Sequence, residues 1–462
     1  MRVVLTADVG STFTKLTAVD IQGRKVIGGA RSFTTIETNV MDGFNAALKD
    51  LADQCGPLTF EKRLASSSAA GGLKMVAVGL VPDLTVQAAR LAAANAGAKI
   101  LKTYAYELSR DELSEIEFLK PDMILLSGGI DGGNKDVIIH NARMLAQADL
   151  GCSLVVAGNK SATDDLRAIL RDYRGEALFC ANVMPEINQL NIEPARKAIR
   201  ELFIKNIITA KGLDELQQTL SAEIIPTPLS VFEAAGLLSK GTKASAGLGE
   251  LMIFDVGGAT TDVYSMSSGD PTRSNVFLRG FRQPFAKRTV EGDLGVRYSL
   301  SSLCEAAGLE EVAGRCGVDE GEVENWLVTC RVTPDVLPQI DSVGKTIDDQ
   351  MAAMAVKISM ERHCGFVEEV FTSSGRSWAQ TGKDLSNVGW VIGTGGPIIN
   401  ASDPERVLGE AVYKPADLNF LKPIRPRLRV DKKYILSAMG SLSRVEPETA
   451  LHIMTEALRP DA

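Results

Sequence analysis

The sequence contains one short pattern twice, and this repeat constrains the fold more than any other feature. Residues 6–16 read TADVGSTFTKL, and residues 253–263 read IFDVGGATTDV. In both copies an apolar run typical of a buried strand ends in Asp-Val-Gly, small or hydroxyl residues follow, and a second apolar run resumes. The repeat indicates a duplicated architecture, with one glycine-tipped β-hairpin in each half of the chain.

Each hairpin has the composition of a phosphate-binding turn. Glycines allow backbone conformations and close approaches that other residues do not, so that successive N–H groups can surround phosphate oxygens. Lys15 either adds a compensating cation or lies along the strand surface. The candidate phosphate-binding residues are Gly10, Ser11, Thr12, Thr14, Lys15, Gly257, Gly258, Thr260 and Thr261.

An aspartate ends the first strand of each hairpin. Asp8 and Asp255 have the wrong charge for touching phosphate, and we expect them to act as catalytic groups that hold Mg²⁺ through its retained water shell. A single Asp-x-Gly is equally consistent with an ordinary acidic turn. Two copies with matching flanks favour phosphate binding, because chance would have to produce both.

A third glycine motif follows the two hairpins. Residues 388–397 read VGWVIGTGGP, a buried strand that runs into a glycine turn with Pro397 at the first turn of a helix. The pattern lacks the last glycine of the dinucleotide fingerprint, since position 398 is Ile. Many strand–helix turns are rich in glycine, so the order of the motifs carries the prediction. The candidate adenosine-binding residues are Gly393, Thr394, Gly395 and Gly396.

The length of 462 residues predicts more than one core. Strand and helix patterns alternate between about residues 60 and 180, which predicts a parallel sheet. A small, polar stretch at 241–250 marks a boundary between two halves. The predicted divisions are a first lobe at 1–245 with an inserted α/β region at about 60–185, a second lobe at 246–440, and a C-terminal helix at 441–462 that packs back on the first lobe.

Composition argues against several classes of protein. The net charge is -8 and no dense Lys/Arg run occurs, which argues against a nucleic-acid partner. The seven cysteines are scattered without a Cys-x-x-Cys pair, which argues against disulfide, zinc and iron–sulfur frameworks. No apolar run reaches membrane-spanning length, and the first residues break too early for a signal peptide. We therefore expect a cytoplasmic protein without membrane contact.

The three motifs, in this order, resemble the phosphate-one, phosphate-two and adenosine motifs of the actin/Hsp70/hexokinase superfamily. The resemblance implies an α/β, two-lobed actin-like ATPase fold, built from duplicated RNase H-like domains with an extra α/β segment in the first lobe. It also implies ATP and Mg²⁺ as cofactors, with slow hydrolysis that depends on positioning a water molecule.

Three further segments resemble parts of the same superfamily. Residues 228–235 are similar to the helix before phosphate-two, which makes Glu233 a candidate for orienting water, although a surface carboxylate fits as well. Residues 291–295 (EGDLG) resemble the acidic glycine turn after phosphate-two, which implies that Glu291 contacts the nucleotide. Residues 438–441 (AMGS) resemble the small-residue helix that crosses at the hinge.

More narrowly, the whole chain is similar to the MutL-type accessory proteins of glutamate mutase and related aminomutases. The segments that carry this resemblance are 8–15 (DVGSTFTK), 67–75 (SSAAGGLKM), 126–134 (LSGGIDGGN) and 290–295 (VEGDLG). The resemblance implies a chaperone that releases damaged cobalamin from an adenosylcobalamin-dependent mutase subunit, its partner. A DNA mismatch-repair ATPase shares the short family name, but the acidic chain does not fit that function.

Other functions remain open from the sequence. A small-molecule kinase would share the nucleotide site and add a general-base carboxylate for its acceptor, and no second carboxylate group stands out. An iron–sulfur dehydratase activator would need paired cysteines. An actin-like filament protein, or a homo-oligomer, would need contact surfaces that a sequence does not show.

Overall fold

A computed structural model describes residues 1–10, 13–35, 38–68, 73–207, 212–372 and 375–459 of the chain. The chain forms two compact units. The first comprises Met1–Ala234, Gly280–Arg282 and Ser437–Ile453, and the second comprises Ala235–Arg279, Gln283–Leu436 and Met454–Ala462. Within the described ranges, no helix is both long and apolar enough to cross a membrane.

The strands of the described residues are numbered β1 to β18 along the chain. They are β1 (Val3–Val9), β2 (Phe13–Asp20), β3 (Lys25–Phe33), β4 (Phe60–Ser67), β5 (Lys74–Gly79), β6 (Lys99–Ala105), β7 (Met123–Leu126), β8 (Ser153–Val156), β9 (Ala177–Phe179), β10 (Ile225–Pro226), β11 (Leu251–Val256), β12 (Thr261–Met266), β13 (Val276–Arg279), β14 (Ala286–Glu291), β15 (Phe366–Thr372), β16 (Gly375–Thr381), β17 (Trp390–Thr394) and β18 (Arg427–Val430).

The α-helices of the described residues are numbered α1 to α16 along the chain. They are α1 (Val40–Cys55), α2 (Gln87–Asn95), α3 (Arg110–Leu119), α4 (Asp136–Gln147), α5 (Thr163–Ile169), α6 (Glu193–Ile207), α7 (Leu213–Thr219), α8 (Thr227–Lys240), α9 (Leu300–Ala307), α10 (Leu309–Cys316), α11 (Glu320–Val332), α12 (Val343–His363), α13 (Gly396–Ile399), α14 (Pro404–Leu408), α15 (Leu436–Ser443) and α16 (Pro447–Ala457).

The first unit contains a mixed sheet with the strand order β10-β4-β1-β2-β3. Strands β1, β2 and β3 are antiparallel to one another in turn, whereas β4 and β10 continue the sheet in parallel from β1. Every residue of β1 is buried, as expected for a central strand covered on both faces. The sheet therefore carries Asp8 at the end of its central strand.

The second unit contains a sheet with the corresponding order, β14-β12-β11-β17-β18. Again the first three strands are antiparallel, and the last two run parallel to the central strand β11. The two sheets share strand order and direction, and each has an aspartate near the end of its central strand. This duplication confirms the predicted α/β, actin-like fold of two RNase H-like domains.

Between β4 and β10 the chain forms a second sheet of the first unit, with the order β6-β5-β7-β8-β9 and all neighbours parallel. The predicted parallel sheet in this region is therefore confirmed. Alternate residues of β5 face opposite sides. Met75 and Ala77 join the core of the mixed sheet, whereas Val76 and Val78 join a separate core with α3, α4 and α5.

The second unit has its own core beneath β11 and β17. The long helix α12 crosses it, and Ile347, Met351 and Met360 are buried there together with Met252 and Phe254 of β11. A small sheet with the order β13-β16-β15 completes the unit.

Candidate functional site

The first hairpin turns at Gly10. The Gly10 N–H donates to the carbonyl oxygen of Phe13 at 3.0 Å, which closes a tight turn between β1 and β2. A Cβ at Gly10 would lie 2.8 Å from the same oxygen, so the turn requires glycine. Lys15 stands directly opposite Asp8 in the strand register. The predicted residues Ser11 and Thr12 lie outside the described residues.

Asp8 is a buried carboxylate with a defined orientation. It is 9% exposed. The Thr227 hydroxyl, at the start of α8, donates to Asp8 Oδ1 at 2.7 Å, and the Ser66 hydroxyl, on β4, donates to the same oxygen at 3.2 Å. Neither donor was found from the sequence, because no motif links residues that lie 219 and 58 positions from Asp8.

Thr14 lies on the opposite face of the sheet from Asp8. In the register of the hairpin, Thr14 pairs with Val9, and adjacent strand residues face opposite sides. Its hydroxyl is buried and hydrogen-bonded to the Thr34 hydroxyl at 2.9 Å. The structure therefore does not bring the Thr14 side chain to Asp8.

The second hairpin turns at Gly257, and a neighbouring loop holds that turn. Gly257 N–H donates to the Thr260 carbonyl at 2.9 Å. The loop after β14 contributes three N–H donors: Val296 to the Gly257 carbonyl at 3.0 Å, and Arg297 and Tyr298 to the Gly258 carbonyl at 2.8 Å. The turn is thus held from outside by the three residues that directly follow the acidic glycine segment at 291–295.

Two threonine hydroxyls of the second hairpin serve the protein itself. Thr261 is fully buried, and its hydroxyl donates to the Leu294 carbonyl at 2.7 Å. The Thr260 hydroxyl donates to Asp262 Oδ2 at 3.4 Å. Their hydroxyls therefore orient the hairpin and its loop.

A buried ion pair lies beneath the second hairpin. Arg288 Nε, on β14, donates to Asp262 Oδ1 at 2.8 Å, and the arginine is only 2% exposed. Burial lowers the pKa of Arg288, but the adjacent Asp262 carboxylate outweighs burial and leaves that pKa raised. Sequence reasoning missed this pair. Its one signal is that Asp262 occupies the position of Lys15 in the repeat, which reverses the charge.

The third glycine motif touches the second hairpin. Gly395 has a φ of 89°, and a Cβ there would lie 2.1 Å from the Val256 carbonyl oxygen and 2.8 Å from Asp255 Oδ1. Only glycine lets this turn approach Asp255. The Thr394 hydroxyl donates to Asp431 Oδ2 at 3.2 Å, and Gly396 begins α13.

Gly393 is required for a different reason. A Cβ at this position would meet the side chains of Ile398 and Leu408 at 2.8 Å, so the glycine allows α13 and α14 to pack against β17. This contact accounts for the glycine without reference to a ligand.

Glu291 ends β14 with one oxygen unpaired. Its side chain is 6% exposed. Arg362 Nη1 donates to Glu291 Oε2 at 2.9 Å and also to Asp293 at 2.8 Å, and the bonds from Arg362 lower the pKa of Asp293. Glu291 Oε1 is buried without a hydrogen-bond partner among the described residues. A contact of Glu291 with the nucleotide stays a prediction.

Glu233 lies away from Asp8 on α8. It stands between two arginines of the first unit, with Arg200 Nη1 and Arg444 Nε each 3.9 Å from its carboxylate oxygens. Burial raises the pKa of Glu233. Thr227 contacts Asp8, and Glu233 follows six residues later, about 1.7 turns, so the two side chains leave different faces of the helix. A role of Glu233 in orienting water stays a prediction.

The predicted crossing segment at 438–441 lies in α15 and packs tightly on α8. A Cβ at Gly440 would lie 1.8 Å from the Ser230 carbonyl oxygen. The Ser230 hydroxyl donates to the Ser437 carbonyl at 2.6 Å and is 2.9 Å from the Ser441 hydroxyl. Small residues therefore permit the close approach of the two helices, and a hinge at this crossing stays a prediction.

The residues present fit a magnesium nucleotide. In the described ranges no three Asp, Glu, His or Cys side chains are grouped to hold a metal ion directly. Single carboxylates at the ends of strands, such as Asp8 and Asp255, suit Mg²⁺, which keeps several waters and takes one or two carboxylates together with phosphate oxygens. The glycine turns at Gly10 and Gly257, where a Cβ would crowd a carbonyl oxygen, suit phosphate.

Comparison with known proteins adds a family. A family model described as MutL protein matches residues 4–458. Protein MutL of Clostridium tetanomorphum is 44% identical over 462 residues, which cover 99% of each chain.

Similar solved structures are distant in sequence and in geometry. Acetone carboxylase in its nucleotide-free structure aligns over 96% of this chain and 70% of its own, with 12% identity and a TM-score of 0.43. Glycerol kinase of Plasmodium falciparum with ADP aligns over 100% and 93%, with 9% identity and a TM-score of 0.37. The activator of 2-hydroxyisocaproyl-CoA dehydratase from Clostridium difficile with bound ADPNP aligns over 98% and 95%, with 11% identity and a TM-score of 0.29. The fold assignment therefore rests on the sheets of this chain.

Proposed function

The chain belongs to the MutL protein family, and from that premise we propose that it is an ATP-binding chaperone that reactivates an adenosylcobalamin-dependent mutase. Glutamate mutase or a related aminomutase is the proposed partner, and release of damaged cobalamin is the proposed outcome. The observation that supports nucleotide binding is the duplication itself: two glycine turns, each following an aspartate, occupy equivalent ends of two corresponding sheets.

The residues have distinct proposed tasks. The turns at Gly10 and at Gly257–Gly258 bind phosphate oxygens through N–H groups other than those of Gly10 and Gly257, which close the turns. Asp8 and Asp255 orient the waters of Mg²⁺. The turn at 393–396 packs against the adenosine. When bound, ATP supplies a phosphoanhydride bond, and we expect its hydrolysis to be slow and to depend on how the chain orients the attacking water.

The partner surface is proposed to lie on the α/β region between β4 and β10. This region has a parallel sheet of its own and a core of its own on the side away from the mixed sheet. Such an independent layer can bind a partner without disturbing the hairpins.

The test uses the full chain and a purified glutamate mutase loaded with cyanocobalamin as a stand-in for the damaged cofactor. Release of cobalamin into the filtrate is measured by its visible absorbance, with ATP and Mg²⁺, without ATP, and with the Asp8→Ala variant. We expect release only with ATP and the unaltered chain. Equal release without ATP, or no release although ATP binds, would contradict the proposed function. Phosphorylation of a small metabolite instead would favour a kinase.

A further inference from the structure

Both hydroxyl bonds to Asp8 end on the same oxygen. Thr227 and Ser66 reach Oδ1 at 2.7 and 3.2 Å from two different elements, α8 and β4. Two donors on one oxygen fix the rotamer of the carboxylate, and Oδ2 takes no part in this pair of bonds. Hydrogen bonds to a charged acceptor are stronger than those to a neutral one, so the arrangement is a stable one.

Ser66 is itself held by a chain of hydroxyls. Its oxygen is 3.1 Å from the Ser437 hydroxyl on α15. A serine hydroxyl has one proton. Because Ser66 donates that proton to the carboxylate, it accepts from Ser437. By the same reasoning, Ser230 donates to the Ser437 carbonyl at 2.6 Å and accepts from Ser441 at 2.9 Å. The direction of every bond in the chain is therefore determined.

These four serines are buried, with exposures of 0% for Ser66 and Ser230, 5% for Ser437 and 2% for Ser441. Buried polar groups that lose a partner are costly, so each hydroxyl keeps the next one in place. The orientation of Asp8 is consequently connected to the crossing of α8 and α15 by hydrogen bonds within the first unit.

The corresponding position of the second sheet is used differently. Ser66 pairs with Asp8 in the register of β1 and β4, and Thr394 pairs with Asp255 in the register of β11 and β17. The Thr394 hydroxyl nevertheless donates to Asp431, whose carboxylate also accepts from the N–H groups of Ile435 and Leu436. Thr394 therefore does not give Asp255 the hydroxyl bond that Ser66 gives Asp8.

We propose that Thr227 and Ser66 are positioning residues that orient Asp8 toward the waters of a nucleotide-bound magnesium ion. The inference rests on the proposed nucleotide site and adds two residues that none of the motifs contains. Thr227 makes the shorter bond and begins the helix that crosses α15, so its hydroxyl has the larger effect.

The decisive measurement is the affinity for the ATP analogue adenylyl imidodiphosphate, by calorimetry, in a magnesium series and in EDTA. We expect Thr227→Val to weaken binding in magnesium about ten-fold, the loss of one hydrogen bond to a charged group. Binding in EDTA should be unchanged, and Thr227→Ser should restore the affinity. Ser66→Ala should weaken binding in the same magnesium-dependent way, by a smaller factor.

Thr6→Val provides the matched control. Thr6 is buried on β1, as Ser66 is on β4, and its hydroxyl donates to the Thr17 carbonyl at 3.3 Å instead of a carboxylate. It should leave the magnesium dependence unchanged, and thermal unfolding without nucleotide reports whether each variant is folded. An unaltered chain that does not bind the analogue overturns both the proposed function and this inference. Normal binding by the unaltered chain and an unchanged magnesium dependence in folded Thr227→Val overturn the inference alone. An equal loss in EDTA does the same.

Discussion

The two hairpins have the same strand register and opposite charges facing their aspartates. Lys15 stands across from Asp8, whereas Asp262 stands across from Asp255. In the second hairpin Arg288 balances this extra carboxylate from the neighbouring strand β14, at 2.8 Å and almost completely buried. The first aspartate is therefore oriented by hydroxyls and lies opposite a cation, whereas the second lies opposite a carboxylate that a buried arginine balances. The two hairpins thus share a backbone geometry and differ in the charges that surround their aspartates.

The buried pair makes the second hairpin the more sensitive of the two. Arg288→Met leaves Asp262 buried at 7% exposure without its counterion, and we expect a loss of about 3–5 kcal/mol in the free energy of unfolding. Lys15→Met, at the facing position of the first hairpin, should cost about 1 kcal/mol or less, because Lys15 is partly exposed. Urea unfolding of both variants measures the difference.

The buried ion pair also predicts that a second substitution, at Asp262, restores stability to Arg288→Met. Replacing both partners, in Arg288→Met with Asp262→Leu, removes the unpaired charge, so the double variant should recover most of the lost stability. Equal destabilisation by Arg288→Met and Lys15→Met would show that the two hairpins do not differ in this respect.

The central strands of the two sheets and the turns that follow them could be predicted from the sequence, but the partners of the side chains could not. The apolar runs before Asp8 and Asp255 predict the two central strands, and the glycine after each predicts the turn. Arg288 meets Asp262 only because β14 pairs with β12 in a particular register. Thr227 meets Asp8 across 219 residues. Neither contact is marked by a local sequence pattern, since both depend on how distant segments of the chain come together in the folded sheet.

Glycine patterns predict where the chain makes a close approach, but not which group it approaches. The sequence predicts that the backbone of the turn at 393–396 packs against the adenosine. The structure shows that Gly395 is close to Asp255, whereas Gly393 makes room for two side chains of its own unit, Ile398 and Leu408. A missing side chain indicates a close approach, but the identity of the neighbour depends on tertiary packing.

The second hairpin also differs by a buried lysine. Lys383 is 1% exposed, and its ammonium donates to the Phe285 carbonyl at 2.8 Å and lies 3.5 Å from the Ser265 hydroxyl on β12. The repeat places Ala18, an apolar residue, at the position of Ser265 in the first hairpin. Burial, with a smaller contribution from the charge of Lys287, lowers the pKa of Lys383 to about 7 from its ordinary value of 10.5.

This shift predicts a pH dependence of stability. Between about pH 7 and 10.5 the unfolded chain binds a proton at Lys383 that the folded chain does not, so stability should increase as the pH rises through this window. The slope should be at most about 1.4 kcal/mol per pH unit for one proton. Lys383→Met lacks this contribution. Urea unfolding at pH 7 and pH 9 should show a stability difference between the two proteins that changes with pH, and parallel curves would rule out the buried titration.

The last predicted effect concerns one position in each sheet. On the parallel strand beside the central strand, it is the residue that follows the one paired with the aspartate. In the first sheet this position is Ser67, which pairs with Val9 and whose hydroxyl donates to the Val9 carbonyl at 3.3 Å. In the second sheet it is Gly395, where a Cβ would lie 2.1 Å from the Val256 carbonyl oxygen. The first hairpin therefore accommodates a side chain where the second excludes one.

Exchanging these residues tests that difference. Gly395→Ser should cost about 1–3 kcal/mol, because serine must adopt a φ of 89° against the Val256 carbonyl, and it should weaken nucleotide binding by displacing Asp255. Ser67→Gly should cost about 0.5–1 kcal/mol from backbone entropy, together with the loss of the hydroxyl bond to the Val9 carbonyl. Gly396→Ser is the control for the unfolding measurement, since the nearest atom to its Cβ is Asn400 Nδ2 at 3.9 Å. If urea unfolding cannot distinguish Gly395→Ser from Gly396→Ser, the close approach of this turn to Asp255 has no energetic consequence, and the second hairpin is not the more tightly enclosed one.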